Sequence, residues 1–212
     1  MSDSEDQRIA RARELEALIG RTVAGKYKVR RLIGRGGMGA VFEAVHETIG
    51  RKVAIKFVDR EFAQDERVVG RFAREARAAS AIESDHIVSV FDAGTDDGRP
   101  YIVMELLRGE DVGARLRRLR KLGLDETIHI VAQMLRGLGR AHAAGIVHRD
   151  LKPDNVLLVE KDADPAFVKI VDFGISKMQR LEGKTPFAIT AHGVVLGTPL
   201  FMSPEQAQAL PD

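Results

Sequence analysis

The chain has 212 residues, 44% of them hydrophobic, which is enough for one large core or two small ones and points away from wholesale disorder. Its 33 basic residues face 31 acidic ones, and the resulting formal charge of +2 is too balanced to make nucleic acid or an acidic membrane the main partner. The absence of cysteine excludes disulfides, thiolate zinc sites and cysteine nucleophiles, and no apolar run is long enough to span a bilayer, so a cytoplasmic location is the default expectation.

Residues 1–25 read as an arm with a short amphipathic helix, because Ile9, Ala12, Leu15, Leu18 and Ile19 recur at roughly helical spacing within an Arg/Glu-rich stretch. A solvated extension packed lightly on the folded domain is its simplest meaning. From Tyr27 the pattern changes to strands, Tyr27 to Ile33, Ala40 to His46 and Lys52 to Val58, joined by glycine-bearing turns. The first turn, Gly34-Arg35-Gly36-Gly37-Met38-Gly39-Ala40-Val41, reads G-x-G-x-x-G-x-V, in which residues lacking a Cβ let backbone amides approach phosphate oxygens. It is not a P-loop, since Met38-Gly39-Ala40-Val41 offers neither Lys nor Ser/Thr. It is not a dinucleotide fingerprint either, since a strand rather than a helix comes next.

Val53-Ala54-Ile55-Lys56 places a lysine on the same strand face as a small residue. Taken alone, Lys56 is an ordinary strand-end lysine. Between Asp65 and Ile82, however, Val68, Phe72, Ala76 and Ala79 form a helical apolar stripe that contains Glu75. A carboxylate on a buried face wants a cation, so a Lys56–Glu75 ion pair accounts for both residues; Glu75 reaching sideways to solvent is the alternative. His86 to Ala93 and Arg99 to Leu106 complete five strands, with a turn at Gly94 to Gly98. A hinge-like stretch, Glu105 to Gly109, then leads to a short helix, Asp111 to Leu122, whose arginines suggest a solvated face. The segment Asp125 to Ala144 predicts a core helix carrying Ile128, Val131, Leu135, Leu138 and His142, with Gly145 as its stop. It delivers the chain to His148-Arg149-Asp150-Leu151-Lys152-Pro153-Asp154-Asn155, a polar loop because Pro153 argues against helix. Strands at Val156 to Val159 and Phe167 to Val171 come after it, then Asp172-Phe173-Gly174.

These motifs, with Ser203-Pro204-Glu205, resemble those of protein kinases in order and spacing, most closely bacterial serine/threonine kinases of eukaryotic type. The resemblance implies an α+β, bilobal fold: a five-stranded antiparallel N-lobe with one helix and an incomplete helical C-lobe. It divides the chain into an arm (1–25), an N-lobe with hinge (26–107) and a partial C-lobe (108–212). It implies ATP and Mg²⁺ as cofactors and protein serine or threonine hydroxyls as substrates. Lys56, held by Glu75, would contact ATP phosphates beneath Gly34, Gly36, Gly37 and Gly39. Ile33, Val41, Ala54, Met104 and Leu157 would sandwich adenine, and the backbone of Glu105 and Leu107 would bond its edge. Asn155 and Asp172 would hold the metal, Asp150 would accept the hydroxyl proton, and Lys152 and Thr198 would attend Asp150. Arg149, Arg71 and Lys177 match the family's receptors for an activation-loop phosphate, with Thr185 and Thr190 as candidate sites and self-association as the route to autophosphorylation. The chain stops seven residues after Glu205, so a fragment of a longer kinase, or a shortened, inactive nucleotide-binding module, is the alternative expectation. The underside of the Asp125 to Ala144 helix would then be uncovered.

Overall fold

The computed structural model describes residues 11–36, 39–173 and 199–204, apart from the side chains of Glu61, Arg67, Arg71, Glu75, Ala78 and Pro199. Two compact units make up the chain, Met1–Ala76 with Ser89–Leu106, and Arg77–Val88 with Leu107–Asp212.

The first unit is built on an antiparallel sheet in the order β1-β2-β3-β4-β6-β5. Its strands are β1 (Thr22–Val23), β2 (Tyr27–Arg35), β3 (Gly39–His46), β4 (Lys52–Val58), β5 (Val90–Asp96) and β6 (Arg99–Glu105). Five of these are the strands the sequence predicts, and the two-residue β1 is an addition at the edge. Alternation decides what each face does. Phe42 and Ala44 of β3, Val53, Ile55 and Phe57 of β4, and Tyr101 and Val103 of β6 share one buried cluster. The intervening residues turn to the opposite face, where Val58 and Ile102 pack with Phe72 and Ala76. Phe72 and Ala76 belong to α3 (Glu66–Ser80), which comes after the single-turn α2 (Arg60–Ala63), and Ala79 farther along α3 is buried as well. The stripe read from the sequence is therefore the stripe that is buried.

Residues 11–16 form a helix, α1, that overturns the reading of the arm as a lightly packed, solvated extension. Leu15 and Leu18 are buried in the same cluster as Phe42 and Ile55, and Glu14 forms ion pairs with Arg60 and with the buried Arg99. Charge-rich composition masked this docking, because the exposed-looking Arg11 and Glu14 have partners far along the chain.

A second correction concerns His86 to Ala93, whose strand starts at Val90. Ile87 instead forms a parallel bridge to Ile170 in the second unit, with Val88 N–H donating to Ile170 O (3.0 Å) and Ile170 N–H to His86 O (2.8 Å). The apolar run is real, but it serves two partners. The turn after β5 is also tighter than predicted, with Asp97 and Gly98 both at positive φ between Asp96 and Arg99.

The second unit carries a three-stranded sheet of β7 (Gly109–Asp111), β8 (Val156–Lys161) and β9 (Asp164–Ile170), with helices α4 (Val112–Leu119) and α5 (Leu124–Ala143). Asp111 caps α4 by accepting from Ala114 N–H at 2.7 Å. The α4 arginines are not merely solvated, since Arg115 pairs with Glu110 and Glu126, Arg117 with Asp154, and Arg118 with Glu110.

In α5 the buried stripe is Ile130, Gln133, Gly137 and Ala141, with Met134 and Leu138 packed partly against the same core. Of the residues expected inside, Ile128, Val131 and Leu135 are instead exposed, at 58%, 43% and 64%, and so is His142. The helix has two apolar stripes, and periodicity alone does not say which of them meets the sheet. Close contact identifies the stripe: a Cβ at Gly137 would come within 3.1 Å of His86 and Ile170, whereas one at Gly139, on the stripe of Leu135, would meet nothing within 4 Å. Among the described residues no helix is long and apolar enough to cross a membrane.

Candidate phosphoryl-transfer site

The glycine-rich turn closes with Gly36 N–H donating to Gly39 O at 2.8 Å, between paired residues Arg35 and Ala40. Gly39 sits opposite Val58, and a Cβ there would lie 1.9 Å from the Phe57 carbonyl oxygen, so no other residue fits. Register then gathers the predicted nucleotide residues of this unit on one face. Lys56 lies opposite Val41 and Ile102, and Ala54 opposite Met104, while the outward parity of these positions sets them apart from the Phe42 cluster. Ala54 is buried and Val41 and Met104 are half-buried, whereas Ile33 is exposed at the end of β2. Glu105 N–H donates to Ser89 O at 2.9 Å. Arg71 and Glu75 fall on the backbone of α3, but their side chains lie outside the described residues, and the Lys56–Glu75 pair with them.

The loop His148 to Asn155 is held from within. His148 is buried, donates from Nε2 to Val171 O at 3.0 Å, and accepts at Nδ1 from Asp150 N–H at 3.3 Å. That arrangement requires the neutral Nε2–H tautomer. Burial pushes the imidazole pKa below its usual value, against the opposing pull of the Val171 carbonyl and the Asp150 and Asp172 charges. The ring leans on Phe173 with centroids 4.7 Å apart. Asp150 therefore leaves a backbone pinned on one side by the imidazole. On the other, Asn155 Nδ2–H donates to Asp150 O at 2.8 Å and to its Oδ2 at 3.3 Å. Lys152 Nζ stands 3.6 Å from the same Oδ2.

The chain reaches this geometry through two non-glycine residues in the left-handed region, Arg149 at φ 61° and Asp172 at φ 54°. Such conformations persist where surrounding contacts over-determine them. Pro153 opens a single 3₁₀ turn, Pro153–Asn155, which seats Asn155 in the core, and Val171 N–H donates to Asn155 O at 3.0 Å. The structure thus brings Asp150, Lys152 and Asn155 together and sets Asp150 and Asp172 close enough for both charges to bear on His148. Leu157 is half-buried on β8, opposite Asp111. Gly37, Gly174, Lys177, Thr185, Thr190, Thr198 and Glu205 lie outside the described residues.

Sequence reasoning missed two supports. Arg117 reaches Asp154 at 3.1 Å and braces the loop from α4, and Arg11 reaches the carbonyl of Gly36 at 2.9 Å from α1. Nothing in local spacing signals either, since the partners are 37 and 25 residues away.

A protein kinase domain profile matches residues 27–210. The chain belongs to the protein kinase family. Among relatives of this kinase chain, the serine/threonine-protein kinase pkn3 of Myxococcus xanthus is 42% identical over 199 residues, covering 93% of the chain and 36% of that protein. PknA of Mycobacterium tuberculosis is 41% identical over 194 residues, covering 89% and 43%. The chain therefore spans about a third to two fifths of the length of these relatives. A crystal structure of the M. tuberculosis PknI kinase domain superimposes with a TM-score of 0.64 at 30% identity, covering 84% of this kinase chain and 68% of that one.

Proposed function

We propose that the chain catalyses transfer of the γ-phosphoryl group of ATP to serine or threonine hydroxyls of proteins. The observation that carries this reading is the fixed Asp150 carboxylate, oriented by Asn155 and His148 and attended by Lys152. Asp150 accepts the proton of the attacking hydroxyl as the oxygen bonds to the γ-phosphorus and the bond to the bridging oxygen breaks, with ADP leaving. Lys152 offsets charge on the transferring group. Lys56 and the turn at Gly34, Gly36 and Gly39 hold phosphates, while Ile33, Val41, Ala54, Met104 and Leu157 line the adenine, with Glu105 and Leu107 at its edge.

The residues present fit Mg²⁺. Asn155 commits its amide N–H groups to Asp150, which orients its side-chain oxygen elsewhere, and Asp172 supplies an exposed carboxylate. Among the described residues no group of three His, Asp or Glu could hold a metal, so the candidate ligands are this two-residue oxygen set, of the kind Mg²⁺ uses when phosphate and water complete its shell. When bound, the metal neutralises phosphate charge. The reading keeps residues 26–107 and 108–212 as the two lobes. It assigns Arg149, Arg71 and Lys177 to a phosphate on Thr185 or Thr190, formed between copies of the chain.

Incubation with Mg·ATP labelled at the γ-position and a panel of serine- and threonine-bearing protein substrates tests the proposal, with Asp150→Asn as control. Label on serine or threonine that vanishes in the variant supports it. Nucleotide binding without transfer in the unaltered chain would instead leave a binding module.

A further inference from the structure

A cluster of charges outside the site ties the N-terminal helix to the glycine-rich turn. Arg11, on α1, donates from Nη2 to the backbone carbonyl of Gly36 at 2.9 Å, and the same guanidinium nitrogen is ion-paired with the carboxylate of Asp59. Asp59 directly follows β4 and is buried. Burial pushes its carboxyl pKa up, against the pull of Arg11 and Arg99, so the arginine compensates a carboxylate that has little water to solvate it. Arg11 is itself fixed in place, because α1 is anchored by buried Leu15 and Leu18 and by Glu14 on buried Arg99.

The turn is thus attached to the end of β4 twice. One attachment is backbone, where Gly39 faces Val58 and crowds Phe57. The other is Arg11, which links Gly36 to Asp59. Lys56 lies on that same strand end, three residues before Asp59, so one guanidinium sets the turn relative to the strand that carries the phosphate-binding lysine of the proposed function.

We propose that Arg11 is a positioning residue for the phosphate-holding turn, by which the docked N-terminal helix raises affinity for the phosphates of a nucleotide. This inference rests on the kinase reading above. It concerns a residue that touches no substrate and lies outside the span matched by the kinase domain profile.

The test compares the unaltered chain with Arg11→Ala, Arg11→Gln and Arg11→Lys. Hydrogen exchange is measured over residues 33–42 without ligand. Affinity is measured for a non-hydrolysable ATP analogue with Mg²⁺, and for adenosine, which lacks phosphates. Exchange in this segment should quicken in Arg11→Ala, and ATP-analogue affinity should fall about three- to tenfold, the scale of one partly exposed charge-assisted hydrogen bond, while adenosine affinity holds. Arg11→Gln, which keeps a donor for the carbonyl but drops the charge, should fall in between, and Arg11→Lys should come nearest the unaltered chain. A merely structural arginine would lower the melting temperature and leave the ratio of the two affinities unchanged, and that result would overturn the inference, as would unaltered exchange. If Arg11→Ala does not fold, the Gln and Lys variants decide by the same ratio. No nucleotide binding by the unaltered chain would overturn the kinase reading and the inference with it, whereas binding that is indifferent to Arg11 would overturn the inference alone.

Discussion

The loop His148 to Asn155 holds itself in place, whereas the glycine-rich turn is held by its neighbours. In the loop, a buried imidazole, an asparagine amide and a lysine all converge on Asp150 from within eight residues of sequence, with Val171 O receiving the imidazole N–H. The turn, glycine at four of its six residues from Gly34 to Gly39, has few side chains to spend in this way. Its shape comes from Gly36–Gly39 closure, from the Phe57 carbonyl that leaves no room at Gly39, and from Arg11. Under the proposed function, the difference follows the chemistry each would do. A proton acceptor needs a carboxylate of fixed direction, which side-chain hydrogen bonds supply, while a phosphate cradle needs bare amides, which side chains would obstruct.

The largest expected effect breaks the loop's chemistry without its scaffold. Asp150→Asn should reduce phosphoryl transfer by about 10²- to 10⁴-fold, the usual worth of a positioned general base, while leaving the melting temperature near that of the unaltered chain. Paired rate and unfolding measurements check this, and a matching collapse of stability would show that Asp150 is structural. Next comes the support of the turn from outside. Leu15→Ala removes a side chain only 2% exposed from the core beneath α1 and should cost about 2 to 5 kcal/mol in urea unfolding. Leu135→Ser, on the exposed stripe of α5, should change stability by no more than about 0.5 kcal/mol. Equal effects at these two leucines would refute the docking of the arm. Gly39→Ala is smaller again: its methyl must displace β4 backbone, and a cost of about 1 to 3 kcal/mol is expected, with weaker Mg·ATP binding read by titration.

Much of this was legible in the sequence, and the illegible parts have a common cause. The strands β2, β3, β4 and β6 and the buried stripe of α3 follow from local period, and the loop around Asp150 announces itself because its partners are adjacent in sequence. Ile87, the working stripe of α5 and the docking of α1 were not legible, because each depends on which surface arrives from elsewhere in the chain. Ile87 and Val88 read as the start of β5 until Ile170 claims them. Leu135 and Ile130 are equally apolar, and only Gly137 against His86 and Ile170 decides between their stripes. Arg11 and Glu14 read as solvated charges, although Asp59 and Arg99 bind them across long separations. Buried ion pairs hide from hydropathy.

The smallest effect tests how the loop holds itself. His148 has its pKa lowered below 6.5 by burial, so over the interval beneath 6.5 the unfolded chain takes up a proton that the folded chain refuses. More protons bound in the unfolded state make stability rise with pH, so this residue contributes instability that grows as pH falls below 6.5 and vanishes above it. Replacing the ring by an amide, His148→Asn, keeps a donor for Val171 O but removes the titration. The variant should be less stable than the unaltered chain at about pH 7.5, where the buried ring packs on Phe173, and the gap should narrow as the pH is lowered toward about 5. Thermal unfolding across that range measures the gap directly. A gap that stays constant would mean that the imidazole is unshifted in the folded chain, and a gap that widens as the pH falls would mean that it is charged there, in which case Nδ1 could not accept from Asp150 N–H. The loop would then hold Asp150 N–H through the His148 carbonyl alone, at 2.8 Å.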